Sequence, residues 1–163
     1  MSFIGILQTT IKWVLILAIT AIIAGVTLLY FNQNQLIYPS AFPEGSRTKV
    51  QKPNEFGLND WEDVELTTQD SVKIKAYLIK KRLGSKTGPL SKHTLIYFHA
   101  NAGNMGHRLP IAKAFQDRFQ CNILMLSYRG YGLSEGSASE QGFLVLIRFE
   151  TRCSSSFRLY LEP

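Results

Sequence analysis

A chain of 163 residues has room for one domain and an appendage, and its hydrophobic share of 45% is that of an ordinary globular protein. The formal net charge is +6, but the basic residues are scattered from Arg47 to Lys92 rather than gathered on one helix. That argues against a nucleic-acid face and suits a solvated surface beside a membrane. The two cysteines, Cys121 and Cys153, have no metal-ligand spacing and no histidine partners, which argues against a metal site and leaves a single disulfide between them open.

The apolar residues are concentrated at the start. From Trp13 to Phe31 no charge occurs, and the polar side chains are Thr20 and Thr27. As a helix this run would be about 28 Å long, the thickness of a bilayer's hydrocarbon core. Trp13 at one end and Tyr30 with Phe31 at the other are placed where amphipathic rings prefer the interface. Residues 1–31 are therefore expected to form a transmembrane anchor. The competing reading is a cleavable signal peptide, whose apolar core is shorter, about 7 to 15 residues, and after which a small-x-small pattern is expected. The following Asn32-Gln33-Asn34-Gln35-Leu36-Ile37-Tyr38 lacks that pattern. A buried core helix would need a charged face for the water side, and there is none. Lys12 precedes the run while Arg47, Lys49 and Lys52 follow it against Glu44, a slight bias toward a cytosolic C-terminal part.

Residues 32–60 carry Pro39, Pro43, Pro53, Gly45 and Gly57 and read as a linker. Then Val64 and Leu66 alternate with Asp63 and Glu65, and beyond the polar turn Thr68-Gln69-Asp70-Ser71, Val72, Ile74 and Ala76 alternate with Lys73 and Lys75. Period two on both sides of a short turn predicts a hairpin with acidic residues facing lysines. After a basic Gly/Ser/Pro loop over Gly84 to Lys92, the pattern becomes continuous: Leu95 to Phe98 and Ile123 to Leu126 are apolar throughout, as in strands covered on both faces. Between them Pro110 fits a first helical turn, and Ile111, Ala114, Phe115 and Phe119 are expected to form one buried face opposite Lys113, Gln116 and Asp117. The class is α/β, an antiparallel hairpin leading into a parallel sheet through a βαβ unit.

Two loops follow the ends of these strands, where open parallel sheets place their chemistry. The first, His99-Ala100-Asn101-Ala102-Gly103-Asn104, has the small residues that let backbone N–H groups face a developing oxyanion, and equally those of a plain strand-to-helix turn. In the second, Gly132-Leu133-Ser134-Glu135-Gly136 matches the G-x-S-x-G nucleophile-elbow pattern. An elbow needs its first glycine at the strand's end, whereas Tyr128-Arg129-Gly130-Tyr131 intervene here. Ser134 is therefore expected to be structural. The glycine spacing is one residue too long for a dinucleotide loop and Glu135 would repel a pyrophosphate, so no nucleotide and no cofactor is expected.

The text from Thr94 to Gly142, with FHANAGNMGHR and SYRGYGLSEGSASEQG, resembles the membrane-anchored α/β-hydrolase-domain proteins of the bud-emergence-suppressor type, within the serine-aminopeptidase-like hydrolase group. The likeness reaches back through the hairpin to NQNQLIYP. It implies the N-terminal half of an α/β-hydrolase fold over 61–142, with His99, Ala100, Asn101 and Gly103 in an oxyanion loop and Arg129, Gly130, Gly132 and Ser134 in a structural loop. Ala100 stands where the family has glycine, which would cost energy if the position needs positive φ. The family further implies hydrolysis of acyl ester, thioester or related bonds through a serine nucleophile.

That nucleophile, with its acid and histidine, belongs after this stretch. His107 is the last histidine of the sequence, so no Ser-His-Asp constellation assembles in the order the fold requires. Residues 143–163, from Phe143-Leu144-Val145-Leu146-Ile147 through the serine run Ser154-Ser155-Ser156, do not read as the amphipathic helix the family places there. They read as an aberrant or non-homologous tail from a shifted frame, a retained intron or an early stop, which translation of the downstream DNA would test. The expectation is a single-pass, membrane-anchored hydrolase-family chain that is itself inactive, with the lipid bilayer as partner and an acyl-type substrate only in a full-length form. A compartment such as the endoplasmic reticulum is left open. The alternative is a non-enzymatic anchored interaction module. Without its outer neighbour, the strand at Thr94 to Phe98 would expose an apolar edge and leave the product prone to fold poorly.

Overall fold

The computed structural model describes residues 2–140, so the segment 143–163 read as an aberrant tail lies outside the described residues. The chain divides after Ile37 into two compact units. The first is a single helix, α1 (Phe3–Ile37), 35 residues long, uncharged apart from Lys12 and with no buried side chain. It extends past the apolar run at both ends. Thr9, Thr10, Thr20 and Thr27 each return their hydroxyl to the carbonyl four residues back, which satisfies these groups without outside partners.

The second unit is built on a four-stranded sheet. Its strands are β1 (Trp61–Thr67), β2 (Lys73–Ile79), β3 (Thr94–Phe98) and β4 (Asn122–Leu126), in the spatial order β1-β2-β4-β3. The hairpin expected from period two is present, with Val64 opposite Ala76 and Glu65 opposite Lys75. Glu65 lies 2.9 Å from Lys73 Nζ and 2.8 Å from Lys75 Nζ, and the hydrogen bonds from Lys75 and then Lys73 hold its carboxyl below the usual carboxylate range. β2 runs antiparallel to β4, and β4 parallel to β3.

Helix α2 (Leu109–Phe119) connects β3 to β4 and begins on the 3-10 turn Met105–Arg108. Its buried face differs from the expected one. Leu109, Ala112 and Gln116 are buried, whereas Ile111, Ala114 and Phe119 are exposed and Phe115 is half-buried. The helix carries two apolar stripes, and the 3-10 turn selects between them by burying Met105 in line with Leu109 and Ala112. Gln116 completes that stripe because its Nε2 donates to Lys80 O at 3.2 Å, satisfying a buried amide.

The core lies between α2 and one face of the sheet: Tyr77, Ile79, Ile123 and Met125 against Met105, Leu109 and Ala112. Ala76, Leu124 and Leu126 form a second cluster, with Val64, Leu66, Leu78 and Ile96 half-buried around it. β4 is central and buried along most of its length, as its continuous apolar run predicts. β3 is not: Leu95, Ile96 and Tyr97 are half-buried and Phe98 is 54% exposed. Among the described residues β3 is the last strand of the sheet, so its outer side has no neighbour there.

The segment expected to be a linker is tightly folded over its later part. Turns occupy residues 40–48, a 3-10 turn spans Pro53–Phe56, and Ser46, Pro53 and Leu58 are buried. Its Pro and Gly residues terminate short turns, and the carbonyls of those turns are what the site uses.

Candidate functional site

The two loops expected from the sequence lie together at the C-terminal ends of β3 and β4. The first leaves β3 at His99 and enters the 3-10 turn at Met105. Ala100 and Asn101 form its exposed crest, Ala102 is half-buried, and His99, Gly103 and Asn104 are buried. Gly103 has φ of +82°, and a Cβ there would stand 2.6 Å from His107 Nδ1, so this is the position that requires glycine. Ala100 does not adopt a left-handed conformation: the described non-glycine residues with positive φ are Ser71 and Gln120. The substitution of alanine for the family's glycine therefore carries no backbone strain.

Two segments hold this loop, the strap of residues 38–52 and the second loop. The Gly103 N–H donates to Phe42 O at 2.8 Å, and Asn104 Nδ2 donates to both Ser46 O and Lys49 O at 2.9 Å. From the second loop, Tyr128 Oη donates to His99 O at 2.9 Å and Tyr131 Oη to Asn101 O at 2.7 Å. Asn104 also caps the 3-10 turn, its Oδ1 accepting from His107 N at 3.3 Å. The amide of Gly103 is thus committed inside the protein, and the outward-facing part of the loop is Ala100–Asn101.

His99 is 3% exposed, packed against the rings of Tyr128 and Tyr131 at 4.3 and 5.2 Å. Its Nδ1 lies 2.8 Å from Ala100 O, which makes Nδ1 the protonated nitrogen of the neutral ring. Nε2 is buried with no hydrogen-bond partner among the described residues, as is Nε of the neighbouring Arg108. Burial, aided by the Arg108 and His107 charges and opposed by the Ala100 carbonyl, pulls the imidazole pKa down to about 4. Burial likewise pushes the Tyr131 and Tyr128 phenols up to about 12.

A stability slope follows from His99. Above the ordinary histidine pKa of 6.5 both folded and unfolded chains hold it neutral, and the ring imposes no penalty. Below that the unfolded chain takes up the proton first, so stability falls by about 1.4 kcal/mol per pH unit until the folded ring also titrates near 4. The carboxylates of Glu65 and Asp70, whose pKa values are lowered from 4.5 and 3.8, add their own loss as the pH falls through those ordinary values, from the lower end of that window downward. Urea unfolding of the detergent-solubilised chain at pH 7, 6 and 5 should show this slope, and His99→Gln should remove it between pH 6.5 and 5.

The second loop is a stack of turns. Gly130, Gly132 and Gly136 have φ of +76°, +49° and +75°, and backbone bonds run from Tyr131 N to Tyr128 O, Ser134 N to Tyr131 O and Gly130 N to Glu135 O. Ser134 is 2% exposed. Its Oγ donates to Ser127 O at 2.9 Å and accepts from Lys75 N at 3.0 Å, and among the described residues no histidine is hydrogen-bonded to it. Arg129 pairs with Asp70 and lies against Gly136, while Arg47 Nη1 donates to Ser134 O at 3.3 Å. Arg129 and Ser134 thus contact the hairpin, Gly132 approaches Val50 and Asn104, and the Gly130 contacts stay within the second loop.

The sequence reading missed the strap, residues 38–52. Phe42, Ser46 and Lys49 act through main-chain carbonyls, to which side-chain identity is no guide. The roles of Tyr128 and Tyr131 were missed as well, although both lie in the motif that carried the family resemblance. Among the described residues no three His, Cys, Asp or Glu side chains gather into a metal-binding group.

An antiparallel hairpin, a parallel β3-α2-β4 unit and two loops at the strand ends define the first half of an α/β-hydrolase sheet. An α/β hydrolase from Vibrio vulnificus superposes on it with a TM-score of 0.52 at 18% identity, over 71% of this chain and 38% of that one. No protein-family model matches the chain. Protein bem46 of Schizosaccharomyces pombe is 50% identical over 129 residues, 79% of this chain and 41% of its own. The α/β-hydrolase domain-containing protein WAV2 of Arabidopsis thaliana is 38% identical over 76% of this chain and 38% of its own, and an uncharacterized membrane protein of Saccharomyces cerevisiae 39% identical over 78% and 41%. The chain belongs to the Bem46/WAV2-like α/β-hydrolase-domain proteins. It spans about two fifths of the length of these relatives, 41%, 38% and 41%.

Proposed function

We propose that this chain carries the oxyanion half of a membrane-anchored serine hydrolase, without a nucleophile of its own. The observation that bears most weight is the loop His99–Asn104, fixed by Phe42, Ser46, Lys49, Tyr128 and Tyr131 with Ala100–Asn101 outermost. In a complete domain such a crest would donate backbone N–H groups to the oxyanion of an acyl ester or thioester undergoing attack. Ser134 serves structure in this reading, because its hydroxyl donates to Ser127 O and accepts from Lys75 N, and among the described residues no histidine is hydrogen-bonded to it. The acid, base and nucleophile would come from the part of the relatives this chain does not span. α1 anchors the protein in a bilayer, consistent with its uncharged run and with a relative named a membrane protein.

A second reading is favoured by the outer side of β3, which has no neighbour among the described residues, and by Phe98 and, on α2, Phe119, both exposed: a non-enzymatic interaction module. Purified 163-residue protein should hydrolyse short-chain p-nitrophenyl esters and acyl thioesters no faster than buffer does. Turnover that survives Ser134→Ala would contradict the absence of any other nucleophile, and turnover abolished by it would contradict the role given to Ser134.

A further inference from the structure

We infer that Ser85, on the basic loop between β2 and β3, is a phosphorylation site for an arginine-directed protein kinase that uses ATP. The loop takes no part in the hydrolase reading, and two independent criteria meet at this one residue. The first is spacing. Kinases of this class hold an arginine three positions before the acceptor against carboxylates, a pairing that the guanidinium fork favours. Among the described residues Ser85 is the one serine or threonine that follows an arginine by three, in Lys80-Lys81-Arg82-Leu83-Gly84-Ser85-Lys86.

The second criterion is presentation. Residues 82–87 form an unbroken exposed run, whereas Ser46, Thr68, Ser91, Ser127 and Ser134 are buried. The base of the loop is closed: Leu83 N donates to Pro89 O at 2.9 Å, Ser91 N donates to Lys81 O at 2.7 Å, and Arg82 forms a β-bridge with Leu90. The tip is held less. Ser85 opens a turn closed by Gly88 N on Ser85 O at 3.1 Å, and its Oγ has a long contact, 3.4 Å, with Thr87 Oγ1. Arg82 Nε donates to Asp60 Oδ2 at 2.9 Å and Nη1 to Gly88 O at 3.3 Å. Both side chains of that ion pair are exposed, at 40% and 41%, so a kinase carboxylate can replace Asp60 at little cost. Arg47, Lys49 and Lys52 after α1 bias this part of the chain to the cytosolic side, where such kinases act.

In the transfer, Ser85 Oγ bonds to the γ-phosphorus of ATP, the bond from that phosphorus to the β,γ-bridging oxygen breaks, ADP leaves, and the hydroxyl proton passes to the kinase's base. The phosphate brings about −1.5 to −2 charges near pH 7. It offsets most of the charge of Arg82, Lys86 and Lys92, of which the two lysines join no ion pair among the described residues. Leu83 and Leu90 are exposed on the same loop, at 38% and 42%. The modification thus switches a basic surface with two apolar side chains, and it offers Arg82 a dianion in place of Asp60.

The test incubates the detergent-solubilised full chain with the catalytic subunit of cAMP-dependent protein kinase and magnesium ATP. Mass-spectrometric mapping separates Ser85 from Thr151 and Ser155, which also follow an arginine by three but lie outside the described residues. Near-stoichiometric phosphate is expected on Ser85, absent in Ser85→Ala and formed about tenfold or more slowly in Arg82→Ala. No phosphate on Ser85, phosphate there only after heat denaturation, or a rate indifferent to Arg82→Ala overturns the inference. So does a loop protected from trypsin in sealed vesicles of expressing cells, since no cytosolic kinase would reach it. None of these outcomes bears on the hydrolase reading, which the ester assays address.

Discussion

Asn104→Ala is expected to lower the unfolding free energy by about 3 to 4 kcal/mol, the sum of several unsatisfied buried groups and a lost cap. Asn104 has no exposed surface, and its amide supplies the only described side-chain donors to Ser46 O and Lys49 O, both at 2.9 Å. Alanine leaves those carbonyls facing a void in a part-buried seam and frees the 3-10 turn that positions α2. Asn104→Asp should be no better, because an ionised carboxylate would accept only and would face two carbonyl oxygens. Asn101→Ala, at an exposed position, should cost under about 1 kcal/mol. Urea midpoints of the detergent-solubilised chain, followed by Trp61 fluorescence, compare the three. A loss for Asn104→Ala as small as that for Asn101→Ala would mean that the strap does not hold the loop.

Gly130→Ala is the second large effect, about 3 to 4 kcal/mol, and its partner control is Gly136→Ala at about 1 to 2 kcal/mol. Both glycines have positive φ, +76° and +75°, so both pay the left-handed backbone penalty. They differ in what a Cβ would meet. At 130 it would stand 2.3 Å from Ala138 N and 2.7 Å from Ser137 C, main-chain atoms that move only if the loop re-forms. At 136 it would stand 2.6 Å from Arg129 Nε, the far part of a side chain that can swing away at the expense of its pairing with Asp70. Equal losses would show that strain alone, not the packing of 137–138 onto the loop, sets the cost. The same unfolding assay reads the difference.

These two residues also show what the sequence could convey. The hairpin was legible because Val64, Leu66, Ile74 and Ala76 are fixed by a period of two that leaves one register. β4 was legible because a central strand is apolar at every position. The buried face of α2 was not, since Ile111, Phe115 and Phe119 are as regularly spaced as the stripe that is actually buried, and only the preceding 3-10 turn and the Lys80 carbonyl decide between them. β3 reads like β4 in sequence but is half-exposed, because among the described residues it is the last strand of the sheet whereas β4 is central. At the site, the intervening Tyr128–Tyr131 anticipated that Ser134 does not sit at the strand's end. The part played by Asn104 stayed hidden: its partners are carbonyls 58 and 55 positions away. No side-chain pattern encodes a bond to a backbone oxygen that far along the chain.

The proposed oxyanion loop His99–Asn104 with Ser134 in a structural role is tested most directly by incubating the intact protein with a fluorophosphonate probe and mapping any adduct by mass spectrometry. No covalent labelling above that of the heat-denatured chain is expected. A stoichiometric adduct on any serine, Ser134 above all, would contradict it.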